Sequence, residues 1–364
     1  MKPICMYLPQ YHTFPENDEW WGRGYTEWTA VKAAEPLFEG HLQPRVPLEH
    51  RYYDLVNEAV TTFTWQASLA KKYGIYGFSF YMYWFRGTQL MERPLEILHA
   101  HPEIDLKYCI CWANESWTRT WYGLANQVLI RQEYGFYDDW KMHFDYLLHF
   151  FMDERYIKVG NRPVLQIYRT FDIEELAKMR ELFDEWAVEA GFDGIYLIGG
   201  KTAADAEKRD GIMDAWYYFE PGYSLKHDLG IGKKLRYNLS VLTKTMLNKF
   251  RKTKRLEREI PAEWIYRAIE KRNYAKNEFP GLIPNWDNTP RRKYKGLIYK
   301  GTNPARFEEV LRTLSEKVSG DREDFVFINA WNEWGEGAVM EPDEADGYGY
   351  LQAVANVQGI KPEE

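Results

Sequence analysis

Eight short apolar runs punctuate the chain, and stretches of helical periodicity separate most of them. The runs are KPICMYL (2–8), IYGFSFY (75–81), LKYCICW (106–112), PVLQIY (163–168), GIYLIG (194–199), MDAWYYF (213–219), GLIPN (281–285) and FVFINAW (325–331). Continuous apolar strands alternating with helices predict a parallel sheet covered on both faces. Between the runs, YYDLVNEAVTTFTWQASLAKKYG ends in Lys71, Lys72 and Gly74, a helix stop. TNPARFEEVLRTLSEKVSG opens with Asn303 as N-cap and Pro304 at the first helical position. Eight such strands predict a (β/α)8 TIM-type barrel. A doubly wound sheet is the alternative, but no glycine-rich dinucleotide or phosphate fingerprint follows any strand. Residues 9–51 and 220–278 are too long for plain barrel loops and are read as insertions after the first and sixth strands. With no linker, repeat or low-complexity tract, residues 1–364 are expected to form a single barrel domain.

Composition narrows the class. The chain has 364 residues, 45% of them hydrophobic, and a net charge of -7, which argues against general nucleic-acid binding. No apolar run approaches the roughly 18 residues of a spanning helix. The opening MKPICMYLPQYH enters a strand without a leader-like segment, so a cytoplasmic location is expected. Cys5, Cys109 and Cys111 form neither a disulfide framework nor a zinc set and are expected to be buried free thiols. Aromatic residues make up 17% of the chain, with 15 Trp and 27 Tyr. Because these side chains favour half-wet positions, such a number suggests an aromatic-lined groove.

Barrel active sites form where the strands finish. Read in order, those ends carry Tyr11 and His12; Tyr83, Trp84 and Arg86; Trp112, Asn114, Glu115, Trp117 and Arg119; Tyr168 and Arg169; Glu220 and Tyr223; Trp286, Asp287 and Arg291; and Trp331, Asn332 and Trp334. Aromatics interleaved with hydrogen-bonding groups suit a polysaccharide, whose flat faces stack while its hydroxyls need fixed partners. Trp84, Trp112, Trp117, Trp286 and Trp331 are the expected stacking platforms. No cofactor and no metal is expected.

The final motif, FINAWNEWGEGAVMEPD (327–343), sets Glu333 and Glu336 three positions apart. On a helical turn the pair would share one face, about 5–6 Å apart at Cβ. That is near the roughly 5–5.5 Å carboxyl spacing of retaining glycosidases. Glu115 in ANES is a competing carboxylate, either an acid/base or a substrate-hydroxyl acceptor. The basic 233–258 segment is either a solvated helix face or a peripheral contact with anionic lipid or a charged glycan carrier.

YLPQYHTFPENDEWWGRGYTEW, CWANESWTRTW and FINAWNEWGEGAVMEPD resemble the glycoside hydrolase family 99-like, WbsX-type proteins of bacterial O-antigen and capsule loci, from the first strand to the last. The resemblance implies a barrel acting on a cell-surface polysaccharide. It also implies a retaining endo-α-mannosidase-like mechanism without metal, carried by Asn332, Glu333, Trp334, Glu336 and Gly337. By that likeness Glu336 is the general acid/base, and Glu333 deprotonates a sugar 2-hydroxyl that attacks the anomeric carbon. Gly335 stands where the family 99 motif has a bulkier residue, and Tyr122 where relatives often carry Asp. The leading reading is therefore a retaining, endo-acting glycoside hydrolase. The alternatives are a glycosyltransferase or transglycosylase of polysaccharide assembly, which lacks support from any Rossmann-like or Asp-x-Asp signature, and a non-catalytic carbohydrate-binding barrel.

Overall fold

A computed structural model describes residues 1–118, 128–205, 209, 211–318, 320 and 323–362. Parallel strands β1 (Lys2–Tyr7), β2 (Gly77–Phe85), β3 (Tyr108–Trp112), β4 (Arg162–Ile167), β5 (Tyr196–Lys201) and β6 (Ala215–Tyr218) pair in chain order. β7 comes in two pieces, Glu278–Phe279 and Gly281–Leu282, and β8 (Phe325–Ile328) returns to β1. The break in β7 has a local cause. Pro280 has no N–H for a ladder, so the first piece pairs with β6 and the second with β8. The Pro280 carbonyl still accepts the Phe327 N–H at 3.0 Å. The result is a nearly closed (β/α)8-type barrel, in agreement with the apolar runs. All residues of β2, β3, β6 and β8 are buried, as strands covered on both faces must be.

The helices are α1 (Ala59–Tyr73), α2 (Arg93–Ala100), α3 (Tyr137–Phe151), α4 (Leu176–Glu189), α5 (Ile231–Arg251), α6 (Ala262–Lys271), α7 (Pro304–Val318) and α8 (Gly349–Gln358). α7 buries Phe307, Val310, Leu311, Leu314 and Val318, one stripe of helical period. Its start is capped as expected, with Asn303 Oδ1 accepting the Arg306 N–H at 2.9 Å. Gly74 closes α1 with φ of 78°, in the left-handed region. A Cβ there would also fall 2.5 Å from Ile360 Cδ1.

The segment after β1 holds two short helices, Pro15–Trp21 and Glu27–Lys32. The stretch after β6 is less of an insertion than its length suggests. α6 lies within it and buries Ile265, Tyr266 and Ile269 as an ordinary barrel helix. The added part is α5 with the strand Arg258–Pro261, which pairs with Leu297–Lys300. Cys5, Cys109 and Cys111 are free and buried.

Candidate active site

Beyond β8 the chain crosses the barrel mouth, held by buried polar groups. Asn332 acts as a bracket between the last strand and the first. Its Oδ1 accepts the Leu8 N–H at 2.8 Å, and its Nδ2 donates to the Leu8 carbonyl at 3.0 Å. The Tyr11 hydroxyl donates to the Asn332 carbonyl and accepts the Trp334 N–H. Glu341 gathers four donors on its two oxygens: Trp331 Nε1 at 2.9 Å, Trp334 Nε1 at 2.7 Å, Gln66 Nε2 at 2.7 Å and the Tyr53 hydroxyl at 3.0 Å. Burial pushes this carboxyl up to about 7 while the four donors pull the other way. Glu341→Ala would strand all four donors in the interior and is expected to cost about 3–5 kcal/mol. Urea unfolding checks this, and a variant as stable as the parent would refute the role.

The two glutamates do not share a helical face. Asn332–Glu333 pairs antiparallel with Ala338–Val339, and Trp334–Glu336 forms a single 3₁₀ turn between them. Glu333 itself is non-helical, with φ of -79° and ψ of 63°. What joins the carboxylates is Arg291, from the short helix Thr289–Arg292 after β7. Its Nη2 lies 2.9 Å from Glu333 Oε2 and its Nη1 3.0 Å from Glu336 Oε1. Its Nε donates to Glu27 Oε1 at 2.7 Å. Gly335 makes room for this cluster, since a Cβ there would fall 1.7 Å from Glu27 Oε1 and 2.7 Å from Arg291 Nε. A side chain at position 335 would therefore displace the Glu27–Arg291 pair.

Three carboxylates on one guanidinium leave excess negative charge in a buried place. Burial raises both Glu333 and Glu336, and Arg291 opposes it in each case. Repulsion from Glu336 and Glu27 adds to burial at Glu333, which is pushed up to about 8. The pair therefore titrates as a unit that keeps a proton near neutral pH. The folded chain retains this proton while the unfolded chain has lost it, between the ordinary 4.5 and about 8. Stability consequently falls as pH rises through that window. Glu333→Gln is expected to melt above the parent at about pH 8, with the gap closing toward about pH 5. Thermal melts that show the gap widening on acidification would contradict it.

The carboxylates line a cavity of ≈ 390 Å³ at the C-terminal ends of the strands, within the roughly 300–1,000 Å³ of ligand pockets. Its walls include Tyr81, Tyr83, Glu115, Trp117, Tyr168, Phe219, Trp286, Arg292 and Tyr299. The Tyr81 and Tyr83 hydroxyls stay protonated, because burial and the nearby Glu333 raise both. Glu115 is held by Arg169 at 3.0 Å; burial raises its carboxyl against that cation.

Of the expected binding residues, Glu115, Trp117, Tyr168 and Trp286 reach the cavity. Others are buried behind it. Trp84 stacks on His143 of α3 at 4.7 Å and donates to Asp139. Trp112 is 1% exposed and Trp331 0%, so neither is a stacking platform, and the Trp334 indole is committed to Glu341. Tyr11 and Asn332 hold backbone, as described above. His12 is buried with Nδ1 on the Pro9 carbonyl. Asn114 bridges β3 to β4 through the Arg169 N–H and carbonyl, both at 2.8 Å. Glu220 accepts Ser224 and Arg272, and Asp287 accepts His41, Gln43 and Thr289. Arg119 and Tyr122 lie outside the described residues. Glu27, Tyr81, Phe219, Arg292, Tyr299 and Glu341 were not anticipated. Among the described residues no cluster of His, Cys, Asp and Glu is placed to hold a metal ion.

Known proteins share this architecture. Solved GH99 endo-alpha-mannosidases from Bacteroides thetaiotaomicron superpose with TM-scores of 0.56 and 0.57 at 14% and 13% identity, covering 98% of this chain and 96% of theirs. A "glycoside hydrolase-like protein" gives a TM-score of 0.55 at 13% identity. At such identities the likeness is one of fold. In sequence, the chain is 37% identical over 356 residues to the uncharacterized protein WxcX of two Xanthomonas campestris pv. campestris strains. The match takes in 96% of this chain and 48% of WxcX, so the chain spans about half the length of these curated relatives. The family model described as glycosyltransferase WbsX matches residues 3–354, and the chain belongs to the WbsX family.

Proposed function

We propose that this chain is a retaining, endo-acting glycoside hydrolase of a bacterial cell-surface polysaccharide, with Glu333 and Glu336 as its working carboxylates. The observation that carries the reading is the shared guanidinium: two carboxylates 2.9 and 3.0 Å from adjacent nitrogens of Arg291, at an aromatic-walled cavity. A pair that keeps one proton near neutral pH can supply both an acid and a base. Burial and repulsion favour that proton on Glu333 in the resting site, and the reacting form is the one that carries it on Glu336. Glu333 takes the proton of the sugar 2-hydroxyl, whose oxygen closes on the anomeric carbon. The glycosidic bond breaks, and Glu336 gives its proton to the departing oxygen. Water then opens the anhydro sugar from the first side, losing its proton to Glu336 while Glu333 returns one to O2. Two displacements retain the configuration. Trp117 and Trp286, both half-exposed, are the sugar platforms. The fold shared with endo-alpha-mannosidases favours an α-mannoside-like substrate, and the family's association with O-antigen and capsule loci favours a surface glycan.

The family's description as a glycosyltransferase favours a second reading, sugar transfer. One assay tests both. Purified surface polysaccharides and α-mannans are expected to yield new reducing ends, without consumption of nucleotide sugars supplied in parallel. Acceptor-dependent nucleotide release with no new reducing ends would overturn hydrolysis.

A further inference from the structure

α5 turns an apolar stripe away from the barrel. None of its residues is buried. The side facing the barrel is mostly polar, with Tyr237 packed on the core among cations: Lys233 and Arg236 lie over the Trp264 ring at 5.7 Å, and Lys244 pairs with Glu259. Thr245 and Asn248 donate to Glu257 at 2.8 and 3.1 Å. Six other apolar residues face away. Ile231, Leu235, Leu239, Leu242, Met246 and Phe250 are 87, 67, 61, 54, 63 and 87% exposed. At ~100° per residue all six fall within an arc of about 100°. Single exposed leucines are ordinary, but a continuous stripe along one helix marks contact with another apolar phase.

Charge identifies that phase. Between Asp228 and Glu257 the chain carries nine Lys or Arg and no acidic residue, although its net charge is -7. Arg236, Lys249, Arg251, Lys252, Lys254 and Arg255 are all exposed. Apolar stripe, basic flanks and no acids are the features of a helix lying in an anionic bilayer interface. We propose that α5 docks flat on an anionic lipid surface, its six apolar side chains at the headgroup–acyl boundary and the exposed Lys249, Arg251, Lys252, Lys254 and Arg255 around its C-terminal end on lipid phosphates. The contact is peripheral, since among the described residues no helix is long and apolar enough to cross a membrane. Leu225, on the turn leading into α5, lines the cavity, so docking holds the cavity rim close to the lipid.

Sedimentation of the full chain with vesicles tests this without any turnover. The protein is expected to pellet with mixed phosphatidylglycerol–phosphatidylcholine vesicles, about tenfold or more weakly with phosphatidylcholine alone, and less as salt rises. Leu235→Gln/Leu239→Gln/Met246→Gln alters only exposed positions, so its melting should match the parent while vesicle affinity falls about tenfold or more. Lys249→Gln/Arg251→Gln/Lys252→Gln should also weaken binding and flatten the salt dependence. Several outcomes would overturn the proposal: no pelleting with the mixed vesicles, unchanged binding by the apolar triple variant, or preference for a soluble anionic glycan over vesicles. A parent dimer that the apolar variant dissolves, with no vesicle affinity, would assign the stripe to a second copy instead.

Discussion

Glu336→Gln is expected to slow cleavage of a surface polysaccharide by about 10²–10⁴-fold while leaving its binding nearly intact. The amide keeps the shape of the carboxyl and a contact to Arg291 but cannot transfer a proton to a poor alkoxide leaving group. An aryl glycoside needs little such help and should be spared. Glu333→Gln should impair both substrates, because attack by the 2-hydroxyl precedes departure of any leaving group. A 2-deoxy-2-fluoro substrate separates the routes further. It should fail to react if the 2-hydroxyl is the internal nucleophile, and should leave a covalent adduct on Glu333 if a direct double displacement operates. Mass spectrometry reads that difference. Full activity in both glutamine variants would discard the assignment.

The barrel was legible because its strands are apolar throughout, and the same property concealed which strand-end aromatics face the cavity. In β2, Tyr81 and Tyr83 point into the cavity, whereas Trp84, one position on, points outward to His143. Side chains alternate along a strand, but a strand buried on both faces offers no polar–apolar alternation to reveal the phase. Trp112 at the end of β3 and Ala113 just beyond it repeat the lesson, the small residue reaching the cavity and the indole packing behind it. Register thus decides the place of Trp84 and Trp112, while Trp117 and Trp286 reach the cavity from segments beyond the barrel strands.

Helical spacing was the ground for pairing Glu333 with Glu336, and the chain brings them to one cavity by a different geometry. A helical turn would have brought Glu333 and Glu336 together locally. The chain instead uses a short ribbon and an arginine 42 residues upstream of Glu333. Glu27, the third acid, lies 264 residues from Arg291, in the segment read as an insertion. No periodicity links such positions. The only local trace is Gly335, whose missing side chain marks where Glu27 and Arg291 pass close to the backbone.

Arg291→Gln carries the second large expected effect, and it acts on stability and catalysis in ways that can be separated. Removing the cation leaves Glu27 fully buried beside a glutamate pair that burial already resists ionising. Breaking a buried pair of this kind costs about 3–5 kcal/mol. The loss should deepen as pH rises, since carboxyls whose folded pKa is raised further bind protons that the unfolded chain has released. Arg291→Gln/Glu27→Gln should recover much of that stability, because the second change removes the stranded charge. Activity should not return with it. The cation is what favours ionisation of Glu333, so without it the base form appears only at higher pH. The acidic limb of kcat/KM against pH should therefore move to higher pH in both the single and the double variant. Thermal melts across pH read the first effect and the pH–rate profile reads the second. An acidic limb that stays in place, or moves to lower pH, would show that Arg291 only supports the fold and does not set the charge of the pair.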